Sequence, residues 1–163
     1  MKISKLIIKG YKSFGNIGAT INLNSKFAGK TSTLEALRKV FGSSLADRDI
    51  CQQDFHIGKD ENPDEIDIRE LSIEVQFDFA DSDAIPHFFS NMVINNSGEY
   101  PYLRVRLEAT WHKSDIIPLG EIESTTYFIN VAEGESENEH SKALFPNHLR
   151  SLIQVLYVPA IRK

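Results

Sequence analysis

Cysteine is nearly absent from this sequence, which excludes one common way of stabilising a fold. Cys51 is the single cysteine among 163 residues, so the chain cannot form an internal disulfide. No apolar run approaches the roughly 20 residues that cross a bilayer, and the start Met1-Lys2-Ile3-Ser4-Lys5 lacks the apolar stretch of a secretory signal. These absences predict a cytoplasmic protein without a membrane contact.

Recognisable catalytic patterns are also scarce. Among the five histidines, no two are spaced so that they could bind zinc together with a carboxylate. No G-x-S-x-G segment and no Cys–His pairing indicates a nucleophile. The sequence therefore argues against a histidine-type metal enzyme and against a nucleophilic hydrolase.

The charge of the chain is distributed unevenly. The net charge is -5, yet residues 1–48 contain nine Lys or Arg against two acidic residues. A basic N-terminal third suits a segment that holds polyphosphate, and a solvated surface rich in lysine is the alternative reading. With 41% hydrophobic residues the chain can bury one core, which predicts a single domain.

Alternating apolar and polar residues predict five strands. The first two should form a hairpin-like pair, and the other three an antiparallel meander that covers one face of the domain. Their predicted ranges are Lys2–Lys9, Ala19–Leu23, Leu71–Phe79, Tyr102–His112 and Ser124–Val131.

Apolar residues at steps of three and four predict helices between these strands. The first should run from Thr31 to Phe41 and end at Gly42, with others near Ala84–Met92 and Ser141–Gln154. The apolar run Val155–Val158 predicts a buried parallel strand. The predicted fold class is therefore α/β, with a mixed sheet, an antiparallel meander and flanking helices.

The residues at the start of the first helix carry the clearest chemical motif. Unpaired backbone N–H groups and the helix dipole attract anions at this end of a helix. Gly29 lets the backbone approach a phosphate, Lys30 can reach the terminal phosphates, and the Thr31 hydroxyl can ligate Mg²⁺. The tripeptide matches the second half of the motif G-x-x-x-x-G-K-[ST], which predicts a site for ATP and Mg²⁺.

The first half of that motif departs from the pattern. Asn24 stands five residues before Gly29, where the motif requires its first glycine, and the apolar strand that normally enters the loop is missing. Two interpretations stay open. Either a deletion has removed the phosphate cradle, or several residues of the natural protein are absent from this sequence.

Three segments together resemble a known family. They are Lys5-Leu6-Ile7-Ile8-Lys9-Gly10-Tyr11-Lys12-Ser13-Phe14, then Ile21-Asn22-Leu23, then the run from Ala28 to Arg38. This pattern resembles the start of the RecF, SMC and overcoming-lysogenisation-defect (OLD) group of ABC-type ATPases. Within that group, Asp54-Phe55-His56, the strand Ile73–Phe79 and the run from Leu156 to Arg162 resemble the OLD nucleases, including Gabija-like anti-phage enzymes.

The resemblance implies a role for each matching residue. Lys30 would hold the β- and γ-phosphates as the catalytic lysine, Thr31 would ligate magnesium, and Ser32 would lie near the α-phosphate. Lys12 and Ser13, in the loop Tyr11-Lys12-Ser13-Phe14, would lie beside the nucleotide. Gln53, or its neighbour Gln52, would act as the glutamine that senses the γ-phosphate and the metal.

The resemblance also implies how the chain is organised. Residues 1–163 would form the N-terminal portion of one ABC-type ATPase domain, that is, its P-loop N-terminal lobe. Residues 1–45 would hold the strand pair, the P-loop and the first helix, residues 67–132 the antiparallel region, and residues 141–163 the last helix and a buried strand.

An ATP-binding and ATP-hydrolysing region of an OLD-like DNA endonuclease, in anti-phage defence, is the function that the resemblance implies. The full protein would act on DNA as a homodimer or higher homo-oligomer, with a defence-system partner. The signature motif, the Walker B acids and a Toprim nuclease domain are not found in these 163 residues, so we expect the chain alone to hydrolyse ATP poorly. The alternatives are a RecF- or SMC-like repair ATPase without nuclease activity, and a degenerate interaction module.

Overall fold

A six-stranded sheet organises the chain. The computed structural model describes residues 1–23, 31–81, 85–96 and 98–156, apart from the side chains of residues 31, 32 and 154–156. The strands are β1 (Lys2–Lys9), β2 (Ala19–Asn22), β3 (Ile68–Asp78), β4 (Tyr102–His112), β5 (Glu121–Ile129) and β6 (Lys142–Leu144). The helices are α1 (Thr31–Phe41), α2 (Leu45–Arg48) and α3 (Asn147–Leu156). Among the described residues, no helix is long and apolar enough to span a membrane.

The strands pair in the order β2-β1-β3-β4-β5-β6. The predicted hairpin-like pair and the predicted meander are both confirmed. The prediction that the meander covers a face is wrong, because β3 pairs edge to edge with β1 and the meander extends the same sheet. The prediction of a mixed sheet is also wrong for the described residues, in which every strand pairing is antiparallel.

Period-two alternation gives the sheet two different faces. On one face, apolar residues of β1, β3 and β4 are buried, among them Leu6, Ile73 and Val105. Helix α1 packs there through residues at helical spacing, and the Phe41 ring meets the Phe77 ring edge-on with centroids 5.6 Å apart. Helix α3 adds Leu149 and Ile153 to the same core. The opposite face carries charged and polar side chains.

Two predicted helices differ from the observed structure. Within residues 85–92, only a short 3-10 turn at His87–Phe89 forms, because Pro86 confines the preceding residue to an extended backbone. The predicted helix Ser141–Gln154 begins later, at Asn147, since Pro146 constrains Phe145 in the same way. Residues before it form β6, which pairs with the edge of β5.

The predicted parallel strand Val155–Val158 is also wrong at its first two residues. Helix α3 continues through Val155 and Leu156, while residues 157 and 158 lie outside the described residues. Periodicity alone does not separate a short apolar strand from the end of a buried helix. Leu149 and Ile153, four residues apart, lie on the core face of α3, and the helix extends two residues beyond the predicted end at Gln154.

Candidate nucleotide-binding site

The predicted phosphate motif lies at the start of α1. The helix begins at Thr31, as predicted, and its first turn carries no acidic residue. Gly29 and Lys30 lie outside the described residues, as does Asn24. Thr31 and Ser32 are the first two residues of the helix, and their side chains are outside the description. The roles predicted for Gly29, Lys30, Thr31 and Ser32 stay predictions.

The loop after β1 adopts a conformation that few residues tolerate. Gly10 has a φ of +65°, and a Cβ built on it would lie 2.2 Å from the Glu70 carbonyl oxygen. Lys12 has a φ of 49°, which is uncommon for a residue with a side chain. The amide of Gly10 donates to the Gly15 carbonyl at 3.0 Å and closes the loop on itself.

A second segment, residues 54–56, holds this loop in place. The Lys12 amide donates to the Asp54 carbonyl at 2.7 Å, and the His56 amide donates to the Gly10 carbonyl at 2.9 Å. Nδ1 of His56 lies 2.7 Å from the Lys12 carbonyl oxygen. Asp54-Phe55-His56, singled out in the sequence by resemblance, therefore acts in the structure as the brace of the Tyr11–Phe14 loop.

Both segments are tied to α1 by ion pairs. Lys12 Nζ lies 2.9 Å from Glu35 Oε2, and Lys39 Nζ lies 3.1 Å from Asp54 Oδ2. The hydrogen bond that Lys12 donates to Glu35 raises the pKa of Lys12, although partial burial lowers it. Glu35 precedes Lys39 by one helical turn, so the loop contacts α1 closer to its N-terminus than the brace does. Lys12 thus lies beside the helix that carries the phosphate motif.

The remaining predicted residues lie at the surface. Ser13 is exposed in the loop, next to Lys12. Gln52 and Gln53 are exposed and form a 3-10 turn that ends at Asp54. Asp54 itself is buried and accepts a hydrogen bond from the Cys51 amide at 2.9 Å. The structure places Gln53 next to the brace, and its predicted role at the metal stays a prediction.

Two buried hydroxyl groups in this region were not anticipated from the sequence. Tyr11 is fully buried and Thr33, in the first turn of α1, is 2% exposed. Among the described residues, neither hydroxyl has a hydrogen-bond partner. Burial raises the pKa of Tyr11 strongly, and the charges of Asp54 and Glu35 raise it further. The alternation of β1 ends at Gly10, so only the tertiary contacts with residues 54–56 reveal the burial of Tyr11.

A separate group of charged residues lies on the polar face of the sheet. Arg104 donates two hydrogen bonds to the Glu74 carboxylate, both at 3.0 Å, and Arg106 binds Glu74 and Glu137 together. Lys142 completes the set by pairing with Glu108 at 2.7 Å. The three cations and three carboxylates balance each other, so this network needs no external ion. Among the described residues, no group of three or more His, Cys, Asp or Glu could hold a metal ion.

Comparisons with known proteins add little to this geometry. No family model matches the chain, and no curated protein matches it. The chain is similar to a solved structure that is described under the words "Structural biochemistry of ATP-driven dimerization and DNA stimulated activation of SMC ATPases". That likeness covers 100% of this chain and 81% of the other, with 20% identity and a TM-score of 0.44. At this level the likeness carries no inference about function.

Proposed function

We propose that this chain provides the phosphate-binding part of an ATP site of the ABC type. The observation that carries the proposal is that Gly29-Lys30-Thr31 leads directly into α1, an 11-residue helix anchored on the sheet. The exposed amides and dipole of such a helix start bind phosphate oxygens. The first turn supplies three hydroxyl-bearing residues and no carboxylate that would repel an anion. These residues suit a nucleoside triphosphate and its magnesium ion.

Within this proposal, each residue keeps the role that the family resemblance implies. Lys30 would contact the β- and γ-phosphates, Thr31 the magnesium ion, and Ser32 the α-phosphate. Magnesium, when bound, would neutralise charge that develops on the phosphate oxygens. Gln53 would reach toward the metal from the turn before the brace.

The loop after β1 supports the proposal from the other side. Its backbone is fixed by Asp54 and His56, and Lys12 is held against α1 by Glu35. The Lys12 and Glu35 side chains are 38% and 42% exposed, so the ion pair is open to solvent and weak. A phosphate at the helix start would compete with Glu35 for Lys12. Lys12 and Ser13 would then line the nucleotide.

We test ATP binding by calorimetry with the chain and Mg-ATP. Lys30→Ala should abolish measurable binding, because the ammonium group neutralises the terminal phosphates. Lys26→Ala removes the same charge at a position that the motif leaves free, and serves as the matched control. If the unmodified chain binds no ATP, or if both variants bind alike, the chain is an interaction module that lacks a nucleotide site.

Magnesium ligation by Thr31 has its own test. Thr31→Ala should remove the Mg²⁺ dependence of nucleotide affinity, whereas Thr31→Ser keeps the hydroxyl and should restore it. An affinity that depends on Mg²⁺ equally in both variants would assign the metal to other groups.

The more specific proposal is that the full protein is an OLD-like ATP-dependent DNA endonuclease in anti-phage defence, acting as a homo-oligomer. It is supported by the resemblance of Asp54-Phe55-His56, which braces the loop beside the proposed site. Incubation of the full protein with plasmid DNA, ATP and Mg²⁺ should give cleaved products. ATP hydrolysis that DNA stimulates, without any cleavage, would instead indicate a repair ATPase of the RecF or SMC kind.

A further inference from the structure

A cleft at the far end of α1 contains cationic side chains that lack acidic partners among the residues that the structure describes. It lies between α2, β5 and the start of α3 and encloses about 740 Å³. Its lining includes the cationic residues Lys39, Arg48 and Arg150, and one acidic residue, Asp49. Lys39 is already paired with Asp54, so the two arginines are the charges that need an explanation.

Arg150 is fixed in the cleft by neutral groups. Its Nη2 donates to Thr126 Oγ1 at 2.7 Å, and its Nη1 donates to Asn147 Oδ1 at 3.2 Å. Its Nε is buried and has no hydrogen-bond partner within the described part of the chain. Buried charged groups are ordinarily paired, and a donor left without an acceptor calls for a reason.

Arg48 shares this environment. Its Nη1 donates to the Gly42 carbonyl at 2.5 Å, which directs the guanidinium without neutralising it. Among the described residues, no carboxylate forms an ion pair with Arg48 or Arg150. Burial lowers the pKa of Arg150, and the charge of Arg48 lowers it further. Two cations therefore repel each other in a cleft that is partly shielded from water.

The cleft differs from the polar face of the sheet, where two neighbouring arginines share one carboxylate. There, Arg104 and Arg106 are also near neighbours, but Glu74 lies between them and accepts hydrogen bonds from both. The cleft likewise holds two arginines, Arg48 and Arg150, but within the described part of the chain no carboxylate lies between them. Its other groups favour an anion too, because the first turn of the ten-residue helix α3 lines it, as do the hydroxyl-bearing residues Ser124 and Thr126.

We propose that this cleft binds a phosphate group between Arg48 and Arg150. The planar guanidinium fork matches two phosphate oxygens at once, and a bound oxyanion would relieve the repulsion between the two arginines. The site is separate from the nucleotide site, because Lys39 lies in the last turn of α1 and that helix is roughly 16 Å long at 1.5 Å per residue. The phosphate could belong to a nucleic-acid backbone or to a small phosphate ion.

The first experiment uses inorganic phosphate as the probe, titrated into the chain at low ionic strength by calorimetry. Arg48→Gln and Arg150→Gln should each weaken binding roughly tenfold or more, as expected for the loss of a charge-assisted hydrogen bond. Arg38→Gln is the matched control, because it removes the same charge from an exposed residue that pairs with Asp47. It should leave the affinity unchanged.

Two further variants make the outcome decisive. Phosphate binding that is lost in Lys30→Ala and kept in both arginine variants would place the phosphate at the start of α1 and overturn the proposal. Arg150→Lys keeps the charge if Arg150→Gln fails to fold, and should still weaken binding because the fork is lost. Equal affinity in the Arg48→Gln, Arg150→Lys and unmodified chains would also overturn it.

A second experiment distinguishes the two sources of phosphate. Binding of a labelled DNA duplex is followed by fluorescence anisotropy over a range of salt concentrations. If the cleft holds a backbone phosphate, Arg48→Gln should lower the slope of log affinity against log salt by about one. If DNA binding is unchanged while inorganic phosphate binding is lost, the cleft is a site for a small phosphate.

Discussion

Gly10 shows how one residue sets the position of the loop beside α1. The chain leaves β1 there with a φ of +65°, and the missing side chain lets the backbone pass the Glu70 carbonyl. The end of the strand at this glycine could be predicted from the sequence. The close approach to Glu70 could not, because it arises when β3 pairs with β1 from more than 60 residues away.

Replacing Gly10 with alanine should therefore destabilise the protein in two ways. A positive φ costs a residue with a Cβ about 1–2 kcal/mol, and the contact with Glu70 should add about 1–3 kcal/mol. Gly98→Ala isolates the first effect, because Gly98 has a φ of +88° with open space around its Cβ position. Denaturant unfolding of both variants measures the difference. Equal losses of stability would mean that the Glu70 backbone gives way.

Glu74 is the residue on which the polar-face network depends. Burial raises its pKa, but hydrogen bonds and charge from Arg104 and Arg106 outweigh burial and lower it overall. Glu74→Gln would leave both arginines short of an anion, and we expect a loss of roughly 3 kcal/mol in unfolding free energy. Glu108→Gln should cost about 1 kcal/mol or less, because Glu108 is partly exposed. Chemical denaturation at pH 7 compares them, and similar losses would contradict the central role of Glu74.

At the scale of elements, regular alternation made the long strands predictable, while their ends and partners depended on contacts. β5 begins at Glu121, three residues before the predicted start, because Glu121 pairs with His112 on β4. β6 was missed since its three residues carry no pattern of their own and form only against the edge of β5. Helix α1 was predictable at both ends, because its apolar spacing is regular and Gly42 follows it.

The loop between β5 and β6 should release from the sheet at acidic pH. Hydrogen bonds from Arg106 lower the pKa of Glu137 from its usual 4.5 to about 2. The folded protein thus binds this proton less readily than the unfolded chain, so the stabilisation is complete above pH 4.5 and is lost as pH falls toward 2.

Glu137→Gln should accordingly lower the stability by about 1 kcal/mol at pH 7 and by progressively less as the pH approaches 2. Melting temperatures of the variant and the unmodified chain, recorded from pH 7 downward, should converge. Glu139→Gln, in the same loop but with its side chain 86% exposed, should show no such convergence. A constant difference for Glu137→Gln would assign its effect to packing rather than to charge.

Across the part of the molecule that the structure describes, two segments that the sequence linked to the nucleotide site lie beside α1. Segment 10–14 contacts α1 through the ion pair between Lys12 and Glu35, and segment 52–56 does so through the ion pair between Asp54 and Lys39. In each pair the two residues come from different segments of the chain. A motif search finds Lys30 and Thr31 because their spacing is local. The brace, and the cleft at Arg48 and Arg150, appear only after tertiary contacts bring distant segments together.

The same arrangement predicts that nucleotide binding and turnover are separable in this chain. Hydrolysis needs a positioned metal, a water and compensating charge at the γ-phosphate together. The two carboxylates that the structure places beside α1 in this region, Glu35 and Asp54, are already paired with lysines. The signature motif and the Walker B acids that complete such a site are not found in these 163 residues. We therefore expect ATP turnover at or near background in a steady-state phosphate-release assay, even where calorimetry detects binding. Lys30→Ala, measured in parallel, reports contaminating activity, and turnover that disappears in this variant would show that the 163-residue chain is a complete catalyst.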